Sequence, residues 1–171
     1  MKIYGACRRT HRGNFDALLR RPEFAASLFV FNDNEREHAT AKRGWGNASV
    51  RPWNRHGTAS SFPRTHGIPT GVYRTGYARL DAHARRAIDG ALEELQALLT
   101  AHPGRYESIV YSTQAEDDPL LGTGLFVVSS DVRKYITTRI LALGDTFQVV
   151  DDGTLKQGVV FQSADIRGLL P

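Results

Sequence analysis

The sequence predicts an α/β fold in which strands and helices alternate along a single domain of residues 1–171. Two compact apolar runs, residues 27–31 and 108–111, have the pattern of buried strands. Between them, residues 80–101 place apolar side chains at three- and four-residue spacing, which indicates an amphipathic helix. The resulting order, strand, loop, helix, strand, loop, helix, is typical of layered α/β proteins.

The N-terminal half is predicted to contain short helices and strands around one long loop. Residues 2–6 are a predicted strand, and Asn14 is a candidate cap for a short helix that Pro22 interrupts. Residues 35–63 lack a clean periodicity but contain two tryptophans, which favours an ordered, ligand-facing loop with one helical turn. Residues 67–71 then predict a short strand or strand end with a constrained bend.

The C-terminal half is predicted to contain a second helix and a hairpin. The His-Pro-Gly sequence at 102–104 stops the long helix. Ser129 or Ser130 is expected to cap the next helix, and Gly144 to terminate it. Residues 147–161 alternate around an Asp-Asp-Gly-Thr turn, which predicts a C-terminal β-hairpin.

Composition excludes several classes of protein. With 41% hydrophobic and 23% charged residues, the chain is neither disordered throughout nor fibrous. It contains no apolar run of membrane-spanning length, and its first residues are not followed by a signal-peptide core, so no membrane association is expected. Cys7 is the only cysteine, which excludes an internal disulfide and a cysteine-based zinc site. These features predict a cytoplasmic protein.

The charge is distributed unevenly along the chain. Residues 1–75 contain thirteen Lys or Arg and five Asp or Glu, a net charge of +8, whereas residues 76–171 carry −4. A basic half favours an anionic partner, which could be nucleic acid, a nucleotide or phosphate.

The first candidate binding residues are Asn32, Asp33 and Asn34, directly after a predicted buried strand. Ligands of layered α/β folds bind where strands end, and short amide and carboxylate side chains can hydrogen-bond ribose hydroxyls or a base edge. The alternative is an Asx turn, in which these side chains bind their own backbone.

Two glycine-rich loops are candidate phosphate sites, because glycine lets backbone N–H groups approach an anion closely. One loop precedes a possible helical turn, and the other lies before the second long helix, so that each could add a helix N-terminus. Their residues are Arg43, Gly44, Trp45, Gly46, Asn47, Ala48, Gly122, Thr123, Gly124 and Leu125. Neither loop matches a Walker A or a G-x-G-x-x-G motif, and the alternatives are a flexible loop and a tight turn.

No metal site, cofactor or catalytic residue is predicted. The six histidines show no H-x-x-H or H-E-x-x-H spacing. The acidic run at 116–118 could bind Mg²⁺, but such runs are more typical of a solvated loop. Cys7 lies beside two arginines that could lower its pKa, yet it has no partner nearby in the sequence.

The order of four short motifs resembles a macro-domain-like family, in its small phage and bacterial branch. These motifs are a strand ending in Asn-Asp-Asn at 29–34, the glycine-rich loop at 43–48, Gly-Ile-Pro-Thr at 67–70 and Gly-Thr-Gly-Leu at 122–125. The match covers about residues 28–143 and differs from the family pattern at Asn32, which replaces the usual glycine.

The resemblance implies a three-layer α/β/α fold with a mixed sheet and a cleft for ADP-ribose or a related nucleotide. Asn32, Asp33 and Asn34 would lie near the adenosine or distal ribose. Gly44, Gly46, Asn47 and Ala48 would line one side of the diphosphate, and Gly122, Thr123 and Gly124 the other side. The remaining expected ligand-binding residues are Arg43, Trp45, Thr70 and Leu125.

Three functions follow as hypotheses. The first is a module that binds ADP-ribose or a cyclic or NAD-derived relative, for example to sequester a signal, with a base stacked on Trp45, Tyr73 or Phe126. The second is an ADP-ribosyl hydrolase in which Asn34 or Asp33 positions the substrate or a water. The third is a nucleic-acid-binding protein in which Trp45, Trp53 and Phe62 stack on bases. The oligomeric state stays open.

Overall fold

The computed structural model of the chain describes residues 1–7, 15–113, 119–123, 126–151 and 154–162. Within these ranges the chain forms seven strands and three α-helices, with 3-10 helices at Pro22–Phe24, Glu35–Glu37 and Gly46–Trp53. The main elements are β1 (Lys2–Cys7), α1 (Phe15–Leu19), β2 (Ser27–Asn34), β3 (Thr65–Val72), β4 (Thr75–Gly76), α2 (Ala82–Ala101), β5 (Ser108–Thr113), α3 (Ser130–Leu141), β6 (Thr146–Asp151) and β7 (Thr154–Gln162).

The strands form one mixed sheet in the order β4-β3-β2-β5-β1-β6-β7. The five inner strands are parallel, while β4 pairs antiparallel with β3, and β7 pairs antiparallel with β6. The parallel strands therefore end at the same edge of the sheet, next to the loops that follow β2 and β5. The predicted α/β class with a mixed sheet is confirmed.

Helices cover both faces of the sheet, as predicted for three layers. Because strand side chains alternate between faces, Leu28 and Val30 of β2 join one hydrophobic cluster and Phe29 and Phe31 join another. The first cluster packs against α2 and α3, and we call this side the α2 face. The second packs against α1 and the 3-10 helix Gly46–Trp53, and we call it the α1 face. Burial from both sides explains why β2 and β5 are continuous apolar runs in the sequence.

The long helix forms almost where its periodicity predicts. The Asp81 carboxylate accepts hydrogen bonds from the backbone N–H groups of His83 and Ala84 and so caps the first turn of α2. The helix ends at Ala101, just before the predicted His-Pro-Gly stop. Among the described residues, no helix combines the length and the apolar character that a bilayer crossing requires.

Several details differ from the sequence expectations. The polar triplet at 32–34 is the last part of β2 instead of a turn after it, because β3 continues alongside and pairs with all three residues. The 35–63 loop contains two 3-10 helices where one turn was expected. Gly144 lies three residues beyond the end of α3, where a Cβ atom would come 2.6 Å from Ile3 Cγ1, so close packing against β1 requires glycine there. Asn14, the predicted helix cap, lies outside the described residues.

Candidate functional site

The carboxyl ends of β2, β3 and β5 form the candidate site. Besides Asp33 Oδ2, three buried oxygens there have no hydrogen-bond partner among the described residues: Asn32 Oδ1, Thr70 Oγ1 and Thr113 Oγ1. Thr70 lies in the irregularity of β3 beside the end of β2, and Thr113 is the last residue of β5. Both threonines are almost fully buried. We call these atoms the unpaired oxygens, and each is a polar group that the fold removes from water without compensation.

Asn32 fixes the start of the second glycine-rich loop. Its Nδ2 donates a hydrogen bond to the Gly122 carbonyl oxygen at 2.8 Å. The N–H of Gly122 donates to the Ser112 carbonyl at 2.8 Å, and Leu121 forms an antiparallel bridge with Thr113. The segment before Thr123 is therefore tied to the ends of both β2 and β5.

Helix α3 supports the same segment from outside. The Leu121 N–H donates to the buried Thr137 Oγ1 at 2.9 Å, and Arg133 Nε donates to the Leu121 carbonyl at 2.6 Å. Gly124 and Leu125, the rest of the predicted loop, lie outside the described residues. Helix α3 begins at Ser130 with Ser129 at the position before it, as predicted, but the Ser129 side chain makes no capping hydrogen bond.

Asp33 has a different environment from its neighbours. Its carboxylate is 1% exposed, and Oδ1 accepts hydrogen bonds from Nε and Nη2 of Arg51 and from the Asn34 N–H. Arg51, on the helix Gly46–Trp53, is equally buried and uses Nη1 to reach Glu37 Oε2 at 2.9 Å and the Lys42 carbonyl at 2.6 Å. The predicted ligand residue Asp33 thus belongs to a buried ion-pair network, which we call the Arg51 network.

The Arg51 network also shapes the first glycine-rich loop. A Cβ atom on Gly44 would lie 2.7 Å from Ala48 Cβ and 3.2 Å from both terminal nitrogens of Arg51, so only glycine fits there. The Gly44 N–H donates to the Ala48 carbonyl, and the Ala48 N–H donates to the Trp45 carbonyl. These two N–H groups are engaged within the loop. The first N–H groups of the helix, at Gly46 and Asn47, are those that a helix leaves without an internal partner.

Exposed side chains surround this end of the sheet. Trp45 is 84% exposed, and Arg43 pairs with Asp16 at 2.7 Å. Tyr73 follows β3 in a left-handed conformation with φ 49°, which is uncommon for a residue with a bulky side chain. Its N–H donates to Asn34 Oδ1 at 3.2 Å, and the Arg36 guanidinium lies 5.0 Å from its ring centroid.

Both glycine-rich loops are connected to the end of β2 by side-chain contacts. Asn32 and Asp33 are adjacent in β2, so their side chains point to opposite faces of the sheet. Asn32 binds Gly122 directly, whereas Asp33 reaches the Gly44 loop through Arg51. The loops therefore meet the end of β2 from its two sides.

Arg51 is the important residue that the sequence reasoning missed. It stands in the run Ala48-Ser49-Val50-Arg51-Pro52-Trp53, and a lone cation among mostly apolar residues has to be paired when the run is buried. The burial of this run therefore indicates that Arg51 has an acidic partner. The sequence does not show which one, because Asp33 lies 18 residues away and was predicted to bind a ligand.

A cluster of histidines was also missed. His38, His66 and Glu94 each offer a ligand atom within 4.8 Å of the others. They come from the segment after β2, from β3 and from α2, so no short spacing motif connects them. Burial lowers the pKa of His66 to about 4, and the Nε2 of its ring lies 2.7 Å from the Ala91 carbonyl oxygen.

The chain was compared with protein-family models, with curated proteins and with solved structures, and none of the three comparisons gave a match.

Proposed function

We propose that the chain binds ADP-ribose or a related NAD-derived or cyclic nucleotide at the carboxyl ends of β2, β3 and β5. The main support comes from the unpaired oxygens of Asn32, Thr70 and Thr113. A buried polar group without a partner costs about 1–3 kcal/mol, and ribose hydroxyls could supply the missing donors. Open α/β sheets commonly bind ligands at this edge.

The two glycine-rich loops support a phosphate subsite beside these oxygens. The helix Gly46–Trp53 begins at the loop with its first N–H groups free of internal partners, and helix N-termini favour anions. Gly122 is held within hydrogen-bond distance of Asn32 on the other side of β2. A diphosphate would lie between the loops, with its ribose directed toward the unpaired oxygens.

Exposed aromatic rings near the site fit a nucleotide base. Trp45 and Tyr73 are 84% and 58% exposed, which leaves the Trp45 ring and the Tyr73 face opposite Arg36 available for stacking. Tyr73 is held at the end of β2 by the hydrogen bond from its N–H to Asn34 Oδ1. Trp45 follows Gly44, whose N–H is bonded within the first glycine-rich loop.

The basic N-terminal half gives less support to nucleic-acid binding than its net charge suggests. Arg51 forms ion pairs with Asp33 and Glu37, and Arg55 pairs with Glu94 at 2.6 Å. Arg64 donates to the carbonyls of Leu19 and Phe24. These cations stabilise the fold, so a smaller anionic ligand accounts for the remaining charge.

Isothermal titration calorimetry with ADP-ribose, NAD⁺, cyclic ADP-ribose and AMP tests the proposal. We expect binding of one nucleotide per chain and a change in tryptophan fluorescence. Trp45→Ala should weaken binding by about tenfold if the base stacks there. The absence of heat with every nucleotide would overturn the proposal. Affinity for single-stranded DNA that falls steeply with salt would instead favour the nucleic-acid hypothesis.

A further inference from the structure

The cluster of His38, His66 and Glu94 consists of residues that the proposed nucleotide site does not use. We propose that these three side chains bind a divalent transition-metal ion, for which Zn²⁺ has the best chemistry. Their ligand atoms all lie within 4.8 Å of one another. The contact between His38 Nε2 and Glu94 Oε2 is 3.0 Å.

Each of the two histidines has a hydrogen-bond acceptor next to the ring nitrogen that would not bind the metal, as metal-binding histidines do. The buried Asp33 Oδ2 has no hydrogen-bond partner among the described residues and lies 3.5 Å from His38 Nδ1, which also lacks one. A proton on Nδ1 directed at this carboxylate leaves the Nε2 lone pair of His38 facing Glu94. Metal-bound histidines almost always have such a carboxylate or carbonyl behind them, which fixes the tautomer.

His66 has the carbonyl version of the same arrangement. Its Nε2 lies 2.7 Å from the Ala91 carbonyl oxygen, which can only accept, so Nε2 carries the proton. The lone pair of the neutral ring is therefore on Nδ1.

The spacing suits a tetrahedral ion. With metal–ligand bonds of about 2.0–2.1 Å, the ligand atoms of a tetrahedral zinc site lie roughly 3.3 Å apart. The 3.0 Å contact between His38 and Glu94 is close to this value, and the other separations, at most 4.8 Å, would shorten when an ion binds. A bound ion would take the place of the His38–Glu94 contact.

The donor set selects among metals. Two imidazole nitrogens and one carboxylate oxygen favour Zn²⁺ and related ions over Mg²⁺ or Ca²⁺, which prefer all-oxygen sites. Arg55 Nη2 contacts Glu94 Oε1 at 2.6 Å, so the other carboxylate oxygen, Oε2, is the one that contacts His38 and would bind the metal. Three protein ligands leave the fourth position to water.

Metal uptake can be measured on the full chain without any nucleotide. The protein is stripped with EDTA, desalted, incubated with ZnCl₂ and desalted again, and zinc is counted by mass spectrometry. We expect one equivalent per chain and a rise in melting temperature that grows with zinc concentration. CoCl₂ should give the visible absorption of a tetrahedral Co²⁺ site.

Glu94→Gln and His66→Gln should each weaken zinc binding by at least about tenfold and remove the cobalt spectrum. Glu93→Gln is the matched control, because Glu93 is the exposed neighbour on the same helix, and it should bind zinc like the unmodified chain. Glu94 is part-exposed, so its variant is expected to fold even if the His66 variant does not. Less than stoichiometric zinc in the unmodified chain, or equal uptake by Glu94→Gln, would overturn the proposal.

Discussion

Two adjacent residues, Asn32 and Asp33, divide the end of β2 into two contrasting regions. On the Asp33 side, the Arg51 network and the Asn34 N–H satisfy Oδ1, which accepts three hydrogen bonds, while Oδ2 lies 3.5 Å from His38 Nδ1. On the Asn32 side, the Nδ2 group is used to hold Gly122, but three nearby buried oxygens are left without partners among the described residues.

The contrast separates residues that build the site from residues available to a ligand. A fold that leaves buried polar atoms unpaired loses stability unless something else binds them. The Asp33 side should therefore be sensitive to mutation in the free protein. The Asn32 side should tolerate isosteric substitution and show its role only with a ligand present.

The largest expected effect is from Arg51→Met, which leaves the buried Asp33 carboxylate without its counter-ion. Breaking a buried ion pair from one side costs about 3–5 kcal/mol of unfolding free energy. Urea denaturation measures this loss. Arg43→Met is the control, because Arg43 pairs with Asp16 while remaining two-thirds exposed, and its loss should cost at most about 1 kcal/mol. Similar costs for the two variants would show that the Arg51 network does not stabilise the fold.

The second effect is on pH dependence, because His38 links Asp33 to Glu94 of α2. Glu94 also pairs with Arg55, and the His66 ring packs edge-on against the His38 ring. Burial lowers the pKa of His66 from 6.5 to about 4, so between these values the unfolded chain binds a proton that the folded chain does not. This group therefore makes stability fall as pH falls from 6.5 to 4, by about 3 kcal/mol in total.

The pH effect is measured as the difference between the unmodified chain and His66→Gln, in EDTA, by urea denaturation across this range. His38 has the opposite sign. Its pKa is raised, although burial acts to lower it, because Asp33 and Glu94 favour the protonated ring. Its contribution is present at low pH and is lost as pH rises above the folded pKa. An unchanged pH slope in His66→Gln would contradict the assignment of a neutral, buried His66.

A third effect concerns the space around Asp33. A Cβ atom at Gly67 would lie 2.3 Å from Asp33 Oδ2, so Gly67→Ala should displace the carboxylate and cost about 1–3 kcal/mol in thermal or urea unfolding. Gly90→Ala, in the middle of α2 with nothing within 4 Å of the added Cβ, should instead stabilise the chain by about 0.5–1 kcal/mol. Two changes of the same sign would mean that the packing around Asp33 is not the cause.

The smallest effect on stability is expected on the Asn32 side. Thr113→Val removes a hydroxyl with no described partner, so the free protein should be unchanged or stabilised by up to about 1 kcal/mol, while nucleotide affinity falls roughly fivefold to tenfold. In Thr137→Val the same change leaves the Leu121 N–H unpaired and should cost about 1–3 kcal/mol. Unfolding and calorimetry on both variants measure this. A destabilised Thr113→Val would show that its hydroxyl is already satisfied.

The fold was largely predictable from local patterns. The period of α2 and the apolar runs of β2 and β5 depend on burial, which neighbouring residues encode. The start of α3 was also predicted, although Ser129 does not cap it with its side chain. The extension of β2 to Asn34 was not predictable in this way. Asn, Asp and Asn disfavour strands by themselves, and it is pairing with β3 that keeps them extended.

The site was less predictable because its decisive contacts are distant in the sequence. The Asn-Asp-Asn triplet and the glycine loops were found by composition, and they do lie together at the end of β2. The different uses of Asn32 and Asp33 depend on which face each side chain points to, and hence on Arg51, Gly122 and the register with β3. The His38–His66–Glu94 cluster requires three elements to converge, which no linear spacing reveals.

The position of β1 has a consequence for how the chain folds as it is synthesised. Of the described strands, β1 is synthesised before all the others, yet it lies inside the sheet between β5 and β6, which reach the ribosome exit more than a hundred residues later. Until then, Ile3 and Tyr4 have neither of their neighbouring strands. Such late, long-range pairing slows folding and prolongs exposure of apolar surface. We therefore expect nascent chains that stop before residue 146 to depend on chaperones, and this sheet to form only once β6 has emerged.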